Sequence, residues 1–147
     1  MKALRVKIVN HSPHELPAYA TSGSSGMDIR ANLNTQLTLK PLERSLVPTG
    51  IFIEIPEGFE AQVRPRSGLA VKQGITCLNT PGTIDADYRG EIKIVLINLS
   101  DAEQVVNPGD RIAQLIFQHV ERCEWELVGE LGSTNRNAGG FGHTGKQ

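Results

Sequence analysis

Two segments, EIKIVLINLS at residues 91–100 and RIAQLIFQHV at residues 111–120, decide the fold class. Each begins by alternating polar and apolar residues and then turns apolar on both faces. A two-residue period is that of a strand, whose side chains point to opposite faces in turn. An apolar run on both faces marks a strand covered on each side. Elsewhere the alternation is one-sided. Leu4, Val6 and Ile8 alternate with Arg5 and Lys7, Leu37 and Leu39 with Gln36 and Thr38, and Phe59, Ala61 and Val63 with Glu60, Gln62 and Arg64. Turns punctuate these runs: KPLE at 40–43, IPEG at 55–58, NTPG at 79–82 and NPGD at 107–110. Many short strands between such turns predict an all-β sandwich or barrel. Only SGLAVKQG, residues 67–74, has a helical pattern, with Ser67 as the expected N-cap and Gly74 as the stop.

A chain of 147 residues is one domain by length. Its expected body is residues 1–132, and residues 133–147 form a flexible C-terminal arm. The formal net charge of −1 gives no bulk attraction to nucleic acid or to an anionic membrane, so anion binding must be local. Cys77 and Cys123 have no C-x-x-C spacing, which removes a zinc ribbon and reads as two reduced thiols in the cytoplasm. MKALRVKIVNH lacks the apolar core of a signal peptide, and no apolar run is long enough to span a membrane.

Four constellations and the tail carry chemistry. In NTPGTIDADYRGE (79–91), Asn79 and Gly82 bracket a proline turn, and residues 83–87 can return as the second arm of a hairpin. An extended backbone there puts Asp85 and Asp87 on one face, and Ala86 and Tyr88 on the other. Such a pair holds a metal, activates water, or is simply solvated. In RPRSGLA (64–70), Arg66 offers a planar fork and Ser67 a hydroxyl at a helix start, suiting phosphate or a plain cap beside an ion pair. In PGDRIAQLIF (108–117), the amide of Gln114 inside an apolar run needs a partner, in the core or on a ligand. In SSGMDIRA (24–31), Asp28 opens a strand after a Ser/Gly turn, where a lone Asp is most often a turn cap. The tail from Gly140 to Lys146 spells G-x-x-x-x-G-K, but Gln147 stands where a P-loop needs a hydroxyl, and no helix follows. Phe141 and Arg136 instead suit a flat, anionic partner.

Taken in order, SGMDI, PRSGLA, GTIDADYRGE, GDRIAQLIF and RNAGGFGHTG are similar to the five motifs of the dUTP diphosphatase (dUTPase) family, over residues 24–145. The resemblance implies the family's β-clip fold, a distorted, jelly-roll-like β-barrel with one short helix, and a homotrimer whose sites are shared between subunits. It implies cytoplasmic hydrolysis of dUTP to dUMP and pyrophosphate, by water attack on the α-phosphate with Mg²⁺ as cofactor. By the same resemblance Asp85 activates the water, Asn79 and the backbone around Gly82 read the uracil edge, and Tyr88 packs against the deoxyribose. Arg66, Ser67, Gly68 and Gln114 match phosphate contacts, and Asp28 matches the carboxylate that holds magnesium through water. Arg136 matches the arginine on the γ-phosphate, Phe141 the ring that covers the base, and Gly142 and His143 the closing arm. Asn137 departs from the glycine that many members carry there, His143 fills a position that varies between His and Ser, and Met27 lies in a variable slot. The related dCTP deaminase shares the scaffold and phosphate motifs, but TIDADYRG and the Phe-bearing tail fit the hydrolase. A nucleotide-binding regulatory member without catalysis is the remaining alternative.

Overall fold

The computed structural model describes residues 3–145. Lys146 and Gln147, where the P-loop comparison ends, lie outside the described residues, as do Met1 and Lys2. The elements run β1 (Lys7–Asn10), β2 (Met27–Arg30), β3 (Leu37–Leu39), β4 (Arg44–Pro48), β5 (Ile51–Glu54), β6 (Phe59–Arg64), α1 (Ser67–Gln73), β7 (Ile75–Cys77), β8 (Gly82–Ile84), β9 (Lys93–Asn98), β10 (Gln104–Val106) and β11 (Arg111–His119). The all-β class with one short helix is therefore observed. Its strands form four antiparallel sheets, ordered β1-β5, β10-β3, β2-β11-β6-β8 and β4-β9-β7, in a distorted arrangement in which no described sheet closes on itself.

The two segments apolar on both faces occupy interior positions: β11 lies between β2 and β6, and β9 between β4 and β7. Ile112, Ala113, Leu115 and Ile116 are buried on β11, as are Ile94, Leu96 and Ile97 on β9. Burial on both faces is what the loss of alternation encodes. Polar groups drawn into this core are satisfied. The fully buried Asn98 amide donates to the carbonyls of Leu39 and Ala102, both at 2.8 Å, and Thr49 Oγ1 donates to Ile92 O at 2.5 Å.

The N-terminal alternation behaves differently from expectation. Strand β1 starts only at Lys7, and Ile8 and Val9 are exposed (38% and 50%). Its single paired neighbour is β5, and because Ile8 and Val9 point to opposite faces, neither face of β1 is fully covered. Lys7 Nζ meets Glu54 at 2.9 Å across that ladder, and its hydrogen bond and charge hold the Glu54 carboxyl below its ordinary value.

Helix α1 also differs at its start. The N-cap is Arg66, in extended conformation and without a side-chain capping bond, and Ser67 is the first helical residue. At the other end Gly74 (φ 65°) stops the helix as expected, its N–H donating to Ala70 O at 3.1 Å. From Glu121 to Ala138 the described chain is exposed, Trp125 and Leu127 almost completely. No described helix is long and apolar enough to cross a membrane.

Candidate active site

The NTPG turn joins two sheets. Strand β7 pairs with β9 and β8 pairs with β6, so the expected hairpin with residues 83–87 as its second arm does not form across this turn. The Thr80–Pro81 bond is cis, and Thr80 Oγ1 donates to Cys77 O. Beyond β8 the chain turns at once, the Tyr88 N–H donating to Asp85 O at 3.1 Å. That turn replaces the expected extended backbone and redistributes the side chains. Asp85 and Tyr88 line one cavity of about 600 Å³ together with Asn79 and Gly82, between walls that include Leu46, Val63, Ile84 and Val95. Asp87 lines a neighbouring concavity with Arg89 and Arg122, which Asp85 also borders. The first cavity has mixed walls, its polar lining including Asn79, Thr83, Asp85, Glu91 and Lys93, and has the size of a small-molecule site.

A second cavity, of about 520 Å³, is lined by Ser24, Gly26, Asp28, Arg64, Pro65 and Gln114 among others. Strand register explains how residues so distant in sequence meet. Gln114 of β11 pairs with Asp28 of β2 on one side and with Arg64 of β6 on the other, a row across the sheet whose side chains share a face. The Gln114 amide donates to Pro65 O at 3.3 Å, so its partner is a backbone carbonyl of the protein itself.

Asp28 stands at the opening of a strand, as expected, but its side chain pairs with arginines and does not cap the turn. It lies within β2, and its two carboxylate oxygens each take an arginine: Arg66 Nε at 2.9 Å and Arg111 Nη1 at 3.3 Å. Arg66 is further fixed by donating to the Arg111 carbonyl at 3.1 Å. Arg111 is the contributor that sequence reasoning missed. Its signal was the Asp-Arg pair after the NPGD turn, where β11 starts beside β2. Among the described residues no three of His, Cys, Asp and Glu gather into a metal-holding group. Asp28 retains one lone-pair position on each oxygen, which fits hydrogen bonds to metal-bound water but not a cage.

The two cavities lie on opposite faces of the β2-β11-β6-β8 sheet. Val63 lines the first and pairs with Gly82, whereas the next residue, Arg64, lines the second and pairs with Gln114. Consecutive residues of a strand point to opposite faces. Single-chain geometry thus brings Asn79, Gly82, Asp85 and Tyr88 together on one side, and Asp28, Arg66 and Gln114 on the other. Ser67 and Gly68 follow Arg66 with exposed positions at the helix start.

Tail residues Arg136, Phe141, Gly142 and His143 line neither cavity. Arg136 Nε donates to Gly139 O at 2.6 Å, and the Phe141 ring is fully exposed. Asn137, the departure noted in the sequence, adopts φ 44°, and its side-chain oxygen accepts the Thr134 N–H at 2.9 Å. Asparagine tolerates that left-handed backbone better than most residues.

Comparison with known proteins gives the family. The dUTPase family profile matches residues 12–145. The deoxyuridine 5'-triphosphate nucleotidohydrolase of Finegoldia magna is 59% identical over 142 residues, 97% of this chain and 99% of that one. The protein of the same name from Fusobacterium nucleatum is 56% identical over 99% of this chain and 100% of its own. Among solved structures, a mutant of the Staphylococcus bacteriophage 80alpha dUTPase with dUpNHpp superimposes with a TM-score of 0.86 at 23% identity, covering 96% of this chain and 98% of that one; this likeness concerns the fold. A match over nearly the whole length, joined to relatives identical at more than half their positions, means that this chain belongs to the dUTPase family.

Proposed function

We propose that this chain hydrolyses dUTP to dUMP and pyrophosphate, with Asp85 as the catalytic carboxylate. The observation that carries the reading is the convergence of Asn79, Gly82, Asp85 and Tyr88 on one cavity of about 600 Å³. Asn79 and the backbone around Gly82 meet the uracil edge, where the narrow turn leaves no room for a 5-methyl group. A cytosine amino group there would oppose one donor to another. Tyr88 packs against the deoxyribose. Asp85, at the exposed end of β8, orients a water molecule, accepts its proton and directs the oxygen to the α-phosphorus.

The triphosphate lies along Arg66, Ser67, Gly68 and Gln114, with Arg66 held in place by Asp28. Two arginines, Arg66 and Arg136, neutralise charge on the phosphate oxygens, and positioning with electrostatics is most of what phosphoryl chemistry requires. Asp28 would hold the water shell of Mg²⁺, which when bound would supply further charge neutralisation. Residues 133–147 act as an arm in which Phe141 covers the base, with Gly142 and His143 at the closure. Base–aromatic stacking contributes roughly 1–3 kcal/mol. Because the base cavity and the phosphate row lie on opposite faces of one sheet, the reading includes a homotrimer with each site shared between subunits. Two unpaired cysteines suit a reducing cytoplasm.

Turnover in H₂¹⁸O tests the reaction. Attack at the α-phosphorus puts the label in dUMP, whereas attack at the β-phosphorus puts it in pyrophosphate. Asp85→Asn should lower kcat by about 10²- to 10⁴-fold, the usual contribution of a general base. Wild-type turnover by this variant, or orthophosphate as the product, would refute the reading.

A further inference from the structure

Tyr88 does not stand up from its turn. Its hydroxyl donates to the carbonyl of Glu91 at 2.9 Å, three residues on, so the ring lies back along its own backbone. Gly90 lies beneath it. A methyl group added at Gly90 would abut the Tyr88 hydroxyl and sit 2.5 Å from Cζ and 2.9 Å from Cε2. All three of the nearest atoms belong to that one ring. Gly90 is also absent from the glycines with positive φ, so its backbone does not demand glycine. What demands it is the space taken by the tyrosine. The ring is 45% exposed, so a side chain at position 90 would break its hydroxyl bond and push it towards solvent rather than disrupt the core.

We infer that Gly90 is a positioning residue for sugar discrimination: the absence of its Cβ lets Tyr88 fold flat and be pinned by Glu91 O at the wall of the base cavity. This rests on the proposed role of Tyr88 against the deoxyribose. A ring held at two points, by the turn and by its hydroxyl, presents a rigid face that a 2'-hydroxyl must displace. A ring swung out by a methyl group presents none. Shape exclusion of a single hydroxyl is worth on the order of 100-fold in kcat/KM, so partial loss of the wall should remove about tenfold.

The experiment measures kcat/KM for dUTP and for UTP, and the melting midpoint, in the full-length wild type, Gly90→Ala, Tyr88→Ala and the double variant. Gly90→Ala should melt with the wild type while its dUTP:UTP ratio falls about tenfold. Added to Tyr88→Ala, it should change the ratio no further, because the ring it acts through is gone. A wild-type ratio in Gly90→Ala, or the same loss with and without the tyrosine, overturns the inference. Should Gly90→Ala fail to fold, the double variant decides: recovered folding supports a clash with Tyr88 alone, and continued unfolding overturns it. A wild-type enzyme with no preference for dUTP over UTP would remove the proposed function itself, before any variant is compared.

Discussion

Asp28→Asn isolates what the carboxylate at the centre of the phosphate row does. Its two oxygens accept from Arg66 Nε at 2.9 Å and from Arg111 Nη1 at 3.3 Å, and the three side chains are 31%, 25% and 52% exposed respectively. The Arg111 contact is long and wet, so it contributes about 0.2–1 kcal/mol, as exposed pairs do. The Arg66 contact is shorter and more sheltered. A hydrogen bond to a charged group contributes about 1.5–3 kcal/mol, and solvent screening brings this one to about 1 kcal/mol. Asparagine keeps the shape but loses the charge and one acceptor, so about 1–2 kcal/mol of stability should go. For a chain of this size that is a fall of roughly 3–8 °C in melting midpoint. Freed from Asp28, Arg66 samples other rotamers, and affinity for a non-hydrolysable dUTP analogue should drop about 5- to 30-fold. Titrating Mg²⁺ separates the two roles of the carboxylate. Loss of the arginine anchor persists at every Mg²⁺ concentration, whereas loss of a water-shell contact is recovered as Mg²⁺ rises. An Asp28→Asn protein with unchanged melting midpoint and unchanged affinity at low Mg²⁺ would refute both.

Ending the chain at Asn135 removes Arg136 and Phe141, neither of which lines the two cavities, so the melting midpoint should hold while dUTP turnover is abolished; equal kcat/KM in truncated and full-length protein contradicts the arm's role. Cys77 is buried, and burial raises its thiol from 9.0 to about 11. A folded value above the unfolded one means that stability from the neutral thiol is intact below pH 9 and is lost as pH rises to about 11. Mass spectrometry after iodoacetamide at pH 8 should therefore find Cys77 unmodified in the native protein and alkylated in denaturant; native alkylation at Cys77 refutes the buried placement.

Much of the sheet architecture was legible because burial on both faces leaves a sequence mark. The runs in β9 and β11 stop alternating where neighbours cover both sides, and those strands are the interior ones. β1 misled because Ile8 is as apolar as a core residue, yet no packed layer fully covers either face of this two-stranded ladder at Ile8 and Val9. Local turn chemistry was less legible. An extended reading of TIDADY follows from β8 but not from the Tyr88 N–H to Asp85 O bond, which reverses the faces within three residues. Ser67 looked like an N-cap by residue type, whereas the arginine before it holds the capping conformation while its side chain reaches Asp28. That choice depends on β2, which lies far off in sequence, so no local pattern could disclose it. Asp28 itself has the composition of a turn cap and the surroundings of an ion-pair hub.

The division of the site follows from the pleat. Along β6 one residue, Val63, walls the cavity that holds Asp85, and the next, Arg64, walls the one that holds Asp28 and Gln114. A strand rises about 3.3 Å per residue, so the two walls are close in space, yet they face away from each other through the thickness of the sheet. A nucleotide with its base in one cavity cannot pass its phosphates through a hydrogen-bonded ladder to the other. Moving Asp85 or Arg66 to the opposite face would take a one-residue register slip, which would turn Ala61, Val63 and Leu115 outward and expose the core. The chain is therefore committed by its hydrophobic pattern to presenting half of its motifs on each face. On the proposed reading a complete site takes its halves from different copies, and a neighbour would supply the surface that the exposed Arg136 and Phe141 meet.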